Sequence, residues 1–479
     1  MAEKQTLLKS IFKSLGKSVD IVKPAPGERL RLSGRRLSMP LPSHPVEVEL
    51  GKERLHIQQE THCDGSSYSS PPDLVVFNPD LDAEQINYSL RLKPGESLHI
   101  SHDQPNQEHL FRTPREAFRR NLHVEYAQGQ LVFRDPVSEL GTFVTILEQR
   151  LEQSPLVSGR TKAIEKIIGL YGGPLETMSV DKAWSTIQQV NHLLQEDAFR
   201  VKDTNGIAGG LLELPSHVTP IVLGDLHANL DNLLKILSEN AFLRVLENET
   251  GALVFLGDLV QPDEEPYDDM DGSVLMMDFL FTLKLRFPRS VFFLRGNHDS
   301  FSTEVTKNLV PQAVLWRKKL EQLRGAEYCE QMTRFYDLSP VVARAPDFVA
   351  CHAGPPMNKF DLDKLVNIRD FPALLHELMW NRVRRQGYPS GYTAADVRRF
   401  RKILNLDKGT PFLVGHTPYT GTGTLWCDVA GIPGHHILYS SKSKEFAIFI
   451  RVNGQMVPQV YTAEPLVEWT NNRVKQLDR

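Results

Sequence analysis

Five short stretches of sequence decide the fold: PIVLGDLH at 220–227, ALVFLGD at 252–258, VFFLRGNHD at 291–299, DFVACHAG at 347–354 and PFLVGHT at 411–417. Each begins with an apolar run and ends in small and polar residues, and most are followed by a segment with helical periodicity. Short apolar runs bounded by turn residues are typical of buried strands. The alternation predicts an α/β domain whose polar residues collect at the carboxyl ends of the strands.

The polar residues at these five strand ends are of metal-ligand type, since they are Asp, Asn and His. A single Gly-Asp pair is explained by turn chemistry, because Gly adopts positive φ and Asp bonds its own backbone. Turn chemistry does not require four histidines. Borderline divalent metals bind mixed carboxylate, imidazole and amide-oxygen ligands, and strand ends hold such ligands rigidly. The five blocks together therefore predict a metal site.

Length and composition set the wider frame. A chain of 479 residues is expected to contain more than one domain. Its formal net charge of −4 gives no general attraction to nucleic acid, so no nucleic-acid partner is expected. The four cysteines lack CxxC spacing, which predicts a reducing compartment, and we expect a cytoplasmic protein. No run approaches the roughly 18 apolar residues of a membrane span.

Composition divides the chain into four segments. Residues 1–28 are basic and amphipathic, typical of a surface helix or of a segment that makes weak contact with a membrane surface. Residues 29–150 carry short alternating apolar runs between Pro, Ser and Gly, which predicts a small all-β sandwich module. Residues 151–205 have helical periodicity and are predicted to be a helical connector. Residues 206–479 contain the five blocks and are the predicted catalytic domain.

In the order and spacing of its blocks the sequence resembles the calcineurin-like metallophosphoesterases, and more narrowly their serine/threonine phosphoprotein phosphatase branch. The similarity runs from about Pro215 to Thr462 and includes FYDLSPVVARAPDFVACHAG, LLHELMWNRV and HHILYSSKSKEFAIFIRVNG. The resemblance implies an α/β (α+β) metallophosphoesterase sandwich, two divalent metal ions and a phosphoprotein substrate. Manganese is the expected metal, with iron and zinc as alternatives.

The resemblance also implies roles for the residues at the strand ends. Six of them would be metal ligands: Asp225 and His227 on one ion, Asp258 as the bridge, and Asn297, His352 and His416 on the second. His298 would be the proton donor. These roles agree with the chemistry, because two cations can clamp phosphoryl oxygens and lower the pKa of a shared water, while a histidine protonates the departing oxygen.

Two departures from the phosphatase pattern concern the substrate. After the Gly-Asp of the second block, the family has an Asp that orients the catalytic histidine and an Arg that holds phosphate. Here Gln261 and Pro262 follow, so both groups are expected to be missing. The third block ends in Asp299 where these phosphatases usually have Glu, a feature shared with phosphodiesterases. Classical phosphoserine specificity is weakened, because a bidentate guanidinium clamp is not easily replaced.

Other charged residues are candidates for substrate contact. The available phosphate anchors are Arg295, in the third block, and three arginines after the Trp block, Arg382, Arg384 and Arg385. For the last three, a solvated basic face is the alternative. An acidic loop replaces the missing Asp-Arg pair, with carboxylates at Asp263, Glu264, Glu265, Asp268, Asp269 and Asp271. This loop is either a solvated insertion or a subsite for basic residues near the phosphate.

Residues from about 75 to 147 resemble a forkhead-associated domain, in DPVSELGTFV at 135–144 and in His123. The Gly-Arg pair of that family is Ile100-Ser101 here, its phosphothreonine-binding Ser is replaced near Arg120, and its Asn is Leu140. A β-sandwich that contacts a protein partner or docks on the catalytic domain is therefore favoured over one that binds phosphothreonine.

Three functional hypotheses follow from the sequence. The leading one is a dimetal phosphomonoesterase that acts on phosphoproteins and carries a β-sandwich interaction module. The second is a phosphodiesterase or nucleotide pyrophosphohydrolase, favoured by the missing Asp-Arg pair and by the Gly-Asn-His-Asp block. The third is a catalytically silent scaffold that binds through the β module. Retention of all six predicted ligands argues against a silent site.

Overall fold

The computed structural model describes residues 19–477 except 33, 35, 64–65, 67–70, 82–88, 102–109, 113–116, 118–120, 136–140, 386–389 and 453. The chain divides into two compact units. One is Met1–Ala163 with Ser238–Ala241, and the other is Ile164–Leu237 with Phe242–Arg479. The first 18 residues of the predicted basic amphipathic segment lie outside the described residues.

The described part of the first unit has eleven strands in two sheets. The strands are β1 (Val19–Ile21), β2 (Arg29–Leu32), β3 (Arg36–Pro40), β4 (Val46–Leu50), β5 (Glu53–Gln59), β6 (Leu74–Phe77), β7 (Ser89–Leu92), β8 (Ser97–Ile100), β9 (Leu122–Ala127), β10 (Gln130–Arg134) and β11 (Thr142–Ile146). Their order is β1-β3-β10-β9-β8 in one sheet and β2-β11-β4-β5-β6-β7 in the other. Burial alternates along β4 and β9, as it does when one face of a sheet covers a core. Val48 and Val124, from different sheets, share one hydrophobic cluster, which confirms the all-β prediction.

The forkhead-associated resemblance falls partly on described residues. Asp135 and Thr142 are fully buried, and the Thr142 hydroxyl donates a hydrogen bond to the Asp135 carboxylate at 2.5 Å. This bond ties the end of β10 to the start of β11. Arg120 and Leu140 lie outside the described residues, so the comparison with the phosphothreonine-binding positions stays a prediction.

Two helices follow the β module in the segment predicted to be helical, after a short 3₁₀ turn at Leu151–Gln153. They are α1 (Pro155–Tyr171) and α2 (Val180–Gln195). Helix α2 is amphipathic and buries Ile187, Val190 and Leu194 on one face. Within the second unit, the Asn191 side chain donates to the backbone carbonyl of Gln331 at 3.0 Å. From Ile164 onward, the predicted connector belongs to the second unit.

The described part of the second unit has two mixed sheets. The strands are β12 (Arg200–Lys202), β13 (Ala208–Glu213), β14 (Thr219–Leu223), β15 (Gly251–Phe255), β16 (Val291–Phe293), β17 (Val342–Ala345), β18 (Phe348–Cys351), β19 (Phe412–Val414), β20 (Leu425–Trp426), β21 (His435–Leu438), β22 (Glu445–Val452) and β23 (Gln455–Thr462). Their order is β12-β13-β17-β18-β19-β21-β20 in one sheet and β16-β15-β14-β22-β23 in the other.

Helices cover both sheets of this unit. They are α3 (Leu230–Ser238), α4 (Phe242–Glu247), α5 (Asp271–Arg286), α6 (Gln312–Arg324), α7 (Ala326–Leu338), α8 (Leu362–Val366), α9 (Pro372–Trp380), α10 (Ala394–Ile403) and α11 (Leu466–Leu477), with 3₁₀ turns at Ile368–Asp370 and Val429–Gly431. One hydrophobic cluster joins the facing sheets, with Val254 from one and Ala350 from the other. A second cluster packs Phe400 of α10 against Val349 of β18. These layers confirm the predicted α/β sandwich.

The strand directions bring the five blocks together. Strands β14, β15 and β16 are parallel, so their carboxyl ends lie at one edge of their sheet. Strands β18 and β19 are also parallel in the facing sheet. A backbone bridge pairs Asp225 with Tyr439, and the Ser440 hydroxyl accepts a hydrogen bond from the Gly224 N–H at 2.9 Å. These contacts hold the ends of the two sheets next to each other.

Across the part of the chain that the structure describes, no helix is both long enough and apolar enough to cross a membrane. The reducing compartment and the cytoplasmic location stay predictions.

Helix α10 begins with a hydrogen-bonded cap that should be measurable as stability. The Asp396 carboxylate accepts hydrogen bonds from the backbone N–H and from the hydroxyl of Thr393, both at 2.8 Å. Thr393→Val keeps the shape but removes the hydroxyl, so it is expected to lower the free energy of unfolding in urea by about 1 kcal/mol. In the control Thr333→Val, the lost hydroxyl donates to the Cys329 carbonyl within its own helix, and the change should stay within about 0.5 kcal/mol. Equal changes in both variants would show that the cap contributes nothing.

Candidate metal centre

The first group of ligand-type side chains is Asp225, His227 and Asp258, which follow β14 and β15. Their ligand atoms all lie within 4.8 Å of one another. His227 Nε2 is 3.9 Å from Asp225 Oδ2 and 3.8 Å from Asp258 Oδ2. All three residues are buried. Two dehydrated carboxylates this close to an imidazole form an arrangement that a divalent cation can neutralise.

The second group shares one residue with the first. The ligand atoms of Asp258, His352 and His416 also lie within 4.8 Å of one another. His352 Nε2 is 3.4 Å from Asp258 Oδ2, and Asn297 Oδ1 lies 2.9 Å from the same nitrogen. The structure thus brings all six residues predicted to be ligands into one cluster, in which Asp258 belongs to both groups.

Hydrogen bonds on the outer side of the cluster determine which nitrogens face inward. His352 Nδ1 donates to the Leu256 carbonyl at 2.9 Å, and His227 Nδ1 donates to the Gln261 carbonyl at 2.8 Å. A carbonyl only accepts, so in the neutral ring each Nδ1 carries the hydrogen and each Nε2 presents a lone pair. Both ring nitrogens of His416 are buried and have no hydrogen-bond partner among the residues that the structure describes. An orphaned imidazole beside two ligand side chains fits a metal ion.

The electrostatics of the cluster are those of a site built for cations. Burial raises the pKa of Asp225 to about 6, although His352 opposes this shift. Burial also opposes ionisation of Asp258, but the attraction of His352 and His298 outweighs it and holds the pKa of Asp258 well below its usual range. Burial lowers the pKa of His352, whereas Asp258 and Asp225 raise it, to about 9 overall. Bound cations would compete with protons for the same lone pairs.

Two glycines are required by close approach to the ligands. An added Cβ at Gly415 would collide with the Asp225 carboxylate, and one at Gly296 would collide with the Asp258 carboxylate and backbone. Neither glycine has positive φ, whereas Gly257 has a φ of 105°. The glycines at 296 and 415 therefore leave space for the carboxylates, a role that turn chemistry does not describe.

Asp299, expected from the sequence to mark a phosphodiesterase-like block, has a structural contact that sequence reasoning missed. Its buried carboxylate accepts hydrogen bonds from the backbone N–H groups of Asp258 and Gly296, both at 2.9 Å, and of Leu259 at 3.1 Å. Burial raises the pKa of Asp299 to about 6. Asp299 thus links the loop after β15 to the loop after β16. These two loops carry Asp258 and Asn297, so the same hydrogen bonds help to position both side chains.

The family's orienting Asp is missing, as the sequence shows, but another side chain contacts His298 in its place. Gln261 Oε1 lies 2.8 Å from His298 Nδ1, so the side chain at the position of the missing Asp contacts the ring directly. The His298 ring lies edge-on to His227, with centroids 4.9 Å apart. Burial lowers the pKa of His298 to about 4, against the attraction of Asp258. His298 thus stands beside the first ligand group with Nδ1 engaged.

Comparison with known proteins agrees with this geometry. The sequence model of the calcineurin-like phosphoesterase family matches residues 219–436, which contain all six clustered residues. Residues 219–436 form a calcineurin-like phosphoesterase domain.

Relatives of this phosphoesterase domain include two yeast proteins. Serine/threonine-protein phosphatase PP2A-like PPG1 of Candida albicans is 28% identical over 203 residues, which are 41% of this chain and 42% of the relative. The serine/threonine-protein phosphatase 4 catalytic subunit of Saccharomyces cerevisiae is 21% identical over 213 residues, 43% of this chain and 63% of the relative. The chain thus spans less than two thirds of the length of these relatives.

Among solved structures, a protein serine/threonine phosphatase from Saccharomyces cerevisiae with similarity to human phosphatase PP5 is similar to this chain. It superimposes with a TM-score of 0.45 at 15% identity, over 60% of this chain and 91% of that one.

The arginines predicted to anchor phosphate are divided between two places in the phosphoesterase domain. Arg382 Nε donates to the Thr417 hydroxyl at 3.0 Å, beside His416, and Arg385 donates to the Pro418 carbonyl at 2.7 Å. Arg384 is exposed. Arg295 donates to Asp337 at 2.9 Å and lines a separate cavity of about 200 Å³, whose lining includes none of the six clustered residues. Arg295 therefore lies at that cavity, with its guanidinium bonded to Asp337.

A cavity of about 380 Å³ opens next to His227 in the phosphoesterase domain. Its lining includes Glu264, Glu265 and Asp269 of the acidic loop, which are exposed, and the buried Asp263. Asp263 differs from the others because it pairs with two lysines, Lys307 and, at 2.5 Å, Lys442. Although burial opposes it, the attraction of His227 and the two lysine hydrogen bonds lower the pKa of Asp263 to about 2. Asp263 is thus a structural ion-pair centre, while the three exposed carboxylates face the cavity.

Proposed function

We propose that this chain hydrolyses phosphate monoesters with the help of two divalent cations and that its substrates are phosphoproteins. The observation that carries the proposal is Asp258, whose carboxylate belongs to both groups of ligand-type side chains. One carboxylate shared by two ligand groups is what a pair of neighbouring cations requires. The phosphatase names of the relatives support phosphoproteins as the substrate class.

We assign the six clustered residues to two ions. Asp225 and His227 would hold one ion, Asp258 would bridge, and the remaining three, Asn297, His352 and His416, would hold the second. When bound, two such ions supply positive charge for the phosphoryl oxygens and lower the pKa of an attacking water. Carboxylate, amide and imidazole ligands without thiolate favour manganese, with iron and zinc as alternatives.

His298 is assigned as the proton donor to the leaving group. Its Nδ1 is held by Gln261, which leaves Nε2 on the other side of the ring for a substrate oxygen. Protonation of a departing alkoxide is a step that solvent performs poorly at neutral pH. Substrate phosphate would favour the charged ring, because a nearby negative charge raises the pKa of an imidazole.

Arg382 and Arg385 are the proposed phosphate anchors, supported by the contact of Arg382 with Thr417 next to His416. Guanidinium groups suit this role because their planar donors match phosphate oxygens. The direction of the Arg295 side chain, toward Asp337, supports a structural role for that residue.

The test of the proposed function is metal-dependent turnover of two model substrates. Protein loaded with manganese is expected to hydrolyse p-nitrophenyl phosphate faster than bis-p-nitrophenyl phosphate, and metal analysis should find stoichiometric metal. Faster turnover of the diester would favour the phosphodiesterase alternative. Absence of turnover on both substrates, with metal bound, would favour a silent scaffold.

The exposed carboxylates that line the 380 Å³ cavity predict a preference among phosphopeptides. Lys or Arg beside the phosphoresidue should raise kcat/KM roughly tenfold over acidic flanks at low salt, since each exposed ion pair contributes up to about 1 kcal/mol. The preference should fade with salt, as the Debye length falls from about 10 Å at 0.1 M to about 3 Å at 1 M.

A triple variant, Glu264→Gln, Glu265→Gln and Asp269→Asn, should remove this preference while p-nitrophenyl phosphate turnover stays unchanged. The matched control is Glu327→Gln with Glu330→Gln, which neutralises exposed carboxylates on α7 and should keep the preference. If wild-type protein treats basic and acidic phosphopeptides alike at low salt, the acidic loop is a solvated insertion.

A further inference from the structure

Gln261 is held on all sides although it lies in a loop. Its side chain is fully buried and its backbone φ is 68°, in the left-handed region that few residues with side chains adopt. The backbone N–H donates to the Ser273 hydroxyl and the backbone carbonyl accepts from His227 Nδ1, both at 2.8 Å. The loop conformation therefore fixes the position of the Gln261 backbone from which the side chain extends.

The orientation of the Gln261 amide follows from its two partners. Its Nε2 donates to the backbone carbonyl of His298 at 2.9 Å, and its Oε1 lies 2.8 Å from His298 Nδ1. A carbonyl oxygen cannot donate, so the amide NH₂ must face it and the amide oxygen must face the ring. The Oε1 atom can only accept, so His298 Nδ1 must carry a hydrogen.

We propose that Gln261 is the positioning residue of this centre: its amide holds the His298 ring in one orientation with a hydrogen on Nδ1, so that Nε2 faces the substrate and carries the proton to be donated when the ring is charged. The proposal rests on the proposed function of His298 as proton donor. Gln261 thus replaces the carboxylate that the resembling phosphatases place here with a neutral group that bonds both the ring and the backbone of the same histidine.

A carboxylate could make only half of these contacts. Glu has nearly the length of Gln, but both its oxygens accept, so one of them would face the His298 carbonyl without a hydrogen. The neutral amide also adds no negative charge to a cluster that already contains Asp225, Asp258 and Asp299, all buried. Gln suits this position because it supplies one acceptor and one donor without charge.

The test compares three variants on two leaving groups. Gln261→Met keeps the approximate volume but removes both hydrogen bonds, and Gln261→Glu keeps the acceptor for Nδ1. The matched control is Gln312→Met, which removes a fully buried amide that donates to the Pro262 and Tyr267 carbonyls. Gln312 holds the neighbouring loop without touching His298, so it reports loss of a buried amide alone.

Gln261→Met is expected to lower turnover of an alkyl phosphate about 10- to 100-fold, the range for a misplaced catalytic group. Its loss on p-nitrophenyl phosphate should be at least several times smaller, because that leaving group needs little protonation. Gln261→Glu should recover most of the alkyl phosphate turnover.

The metal content of these variants should stay at the wild-type value, since the hydrogen bond from His227 is accepted by the Gln261 backbone. The control Gln312→Met should affect both substrates equally. If Gln261→Met also affects both substrates equally, the positioning role is overturned.

A measurement without turnover separates this proposal from the proposed function. Nitrogen-15 NMR of histidine-labelled full-length protein, loaded with diamagnetic zinc, should show neutral His298 with the hydrogen on Nδ1, identified by the signal lost in His298→Ala. Gln261→Met should produce a mixture of tautomers. If Gln261→Met shows this mixture but the wild-type protein does not hydrolyse phosphate esters, the positioning role is supported and the proposed function is rejected. An unchanged tautomer in Gln261→Met would reject the positioning role even if the protein hydrolyses phosphate esters.

Discussion

Asp258→Asn is expected to lower phosphoester turnover by roughly a thousandfold or more and to reduce bound metal by at least half. The Asp258 carboxylate is part of both ligand groups, so one substitution weakens two ion sites. Asparagine keeps a single carbonyl oxygen and places donor hydrogens where the second oxygen was, which a cation repels. Metal ions contribute several kcal/mol of transition-state stabilisation, and each 1.36 kcal/mol is a factor of ten in rate.

The fold should survive this change, because asparagine can still accept the hydrogen bond that Asp258 Oδ1 receives from the His298 N–H at 2.8 Å. The matched control is Asp361→Asn, at the exposed start of α8, where the side chain accepts from the Lys364 N–H and asparagine caps a helix equally well. Metal analysis and turnover of p-nitrophenyl phosphate should both be unchanged in the control. Retention of most of the rate in Asp258→Asn would disprove the bridging assignment.

The sequence was sufficient for the parts of this centre that depend on strand order. Each ligand block follows an apolar strand, and parallel strands end at the same edge, so the gathering of Asp225, Asp258 and Asn297 follows from β14, β15 and β16 being parallel. The α/β sandwich and the all-β module were predictable for the same reason, because hydrophobic periodicity encodes strands and helices directly. The roles of the β module in binding a partner stay predictions.

The sequence was insufficient where a contact depends on the direction of a side chain. Gln261 was read as the loss of an orienting group, because a left-handed backbone that turns an amide onto His298 leaves no periodic signal. The role of Arg295 as a phosphate anchor stays a prediction, and its contact with Asp337 could not be predicted because a long side chain can leave its backbone in several directions. In both cases the residue type indicated what the side chain can bind, but the group that it contacts could be identified only from the fold.

The ion pairs of the acidic loop could not be predicted from the local sequence, because the partners lie far apart along the chain. Asp263 looks like one of a run of solvated carboxylates, yet it is buried with Lys307, 44 residues away, and Lys442, 179 residues away. Lysines at that separation carry no local signature. The ion pairs divide the loop into a buried anchor and an exposed part that faces the cavity beside His227. The substrate preference predicted above therefore concerns only the exposed carboxylates.

His298→Ala is expected to lower turnover of an alkyl phosphate by about 10²- to 10⁴-fold while metal content is unchanged, the range for loss of a general acid from an assembled site. The amount of bound metal should not change, because His298 belongs to neither of the two groups whose ligand atoms lie within 4.8 Å of one another. The matched control is His192→Ala, an exposed histidine on α2, which should behave as wild type.

The dependence of this loss on the leaving group identifies what His298 does. A p-nitrophenolate departs with little protonation, whereas an alkoxide needs a proton, so the loss in His298→Ala should be much smaller for p-nitrophenyl phosphate than for the alkyl ester. Because Gln261 acts through the ring, adding Gln261→Met to His298→Ala should cause little further loss on either substrate. Equal losses of His298→Ala on the two esters would mean that the ring positions the substrate and does not donate the proton. Loss of bound metal would instead identify His298 as a ligand.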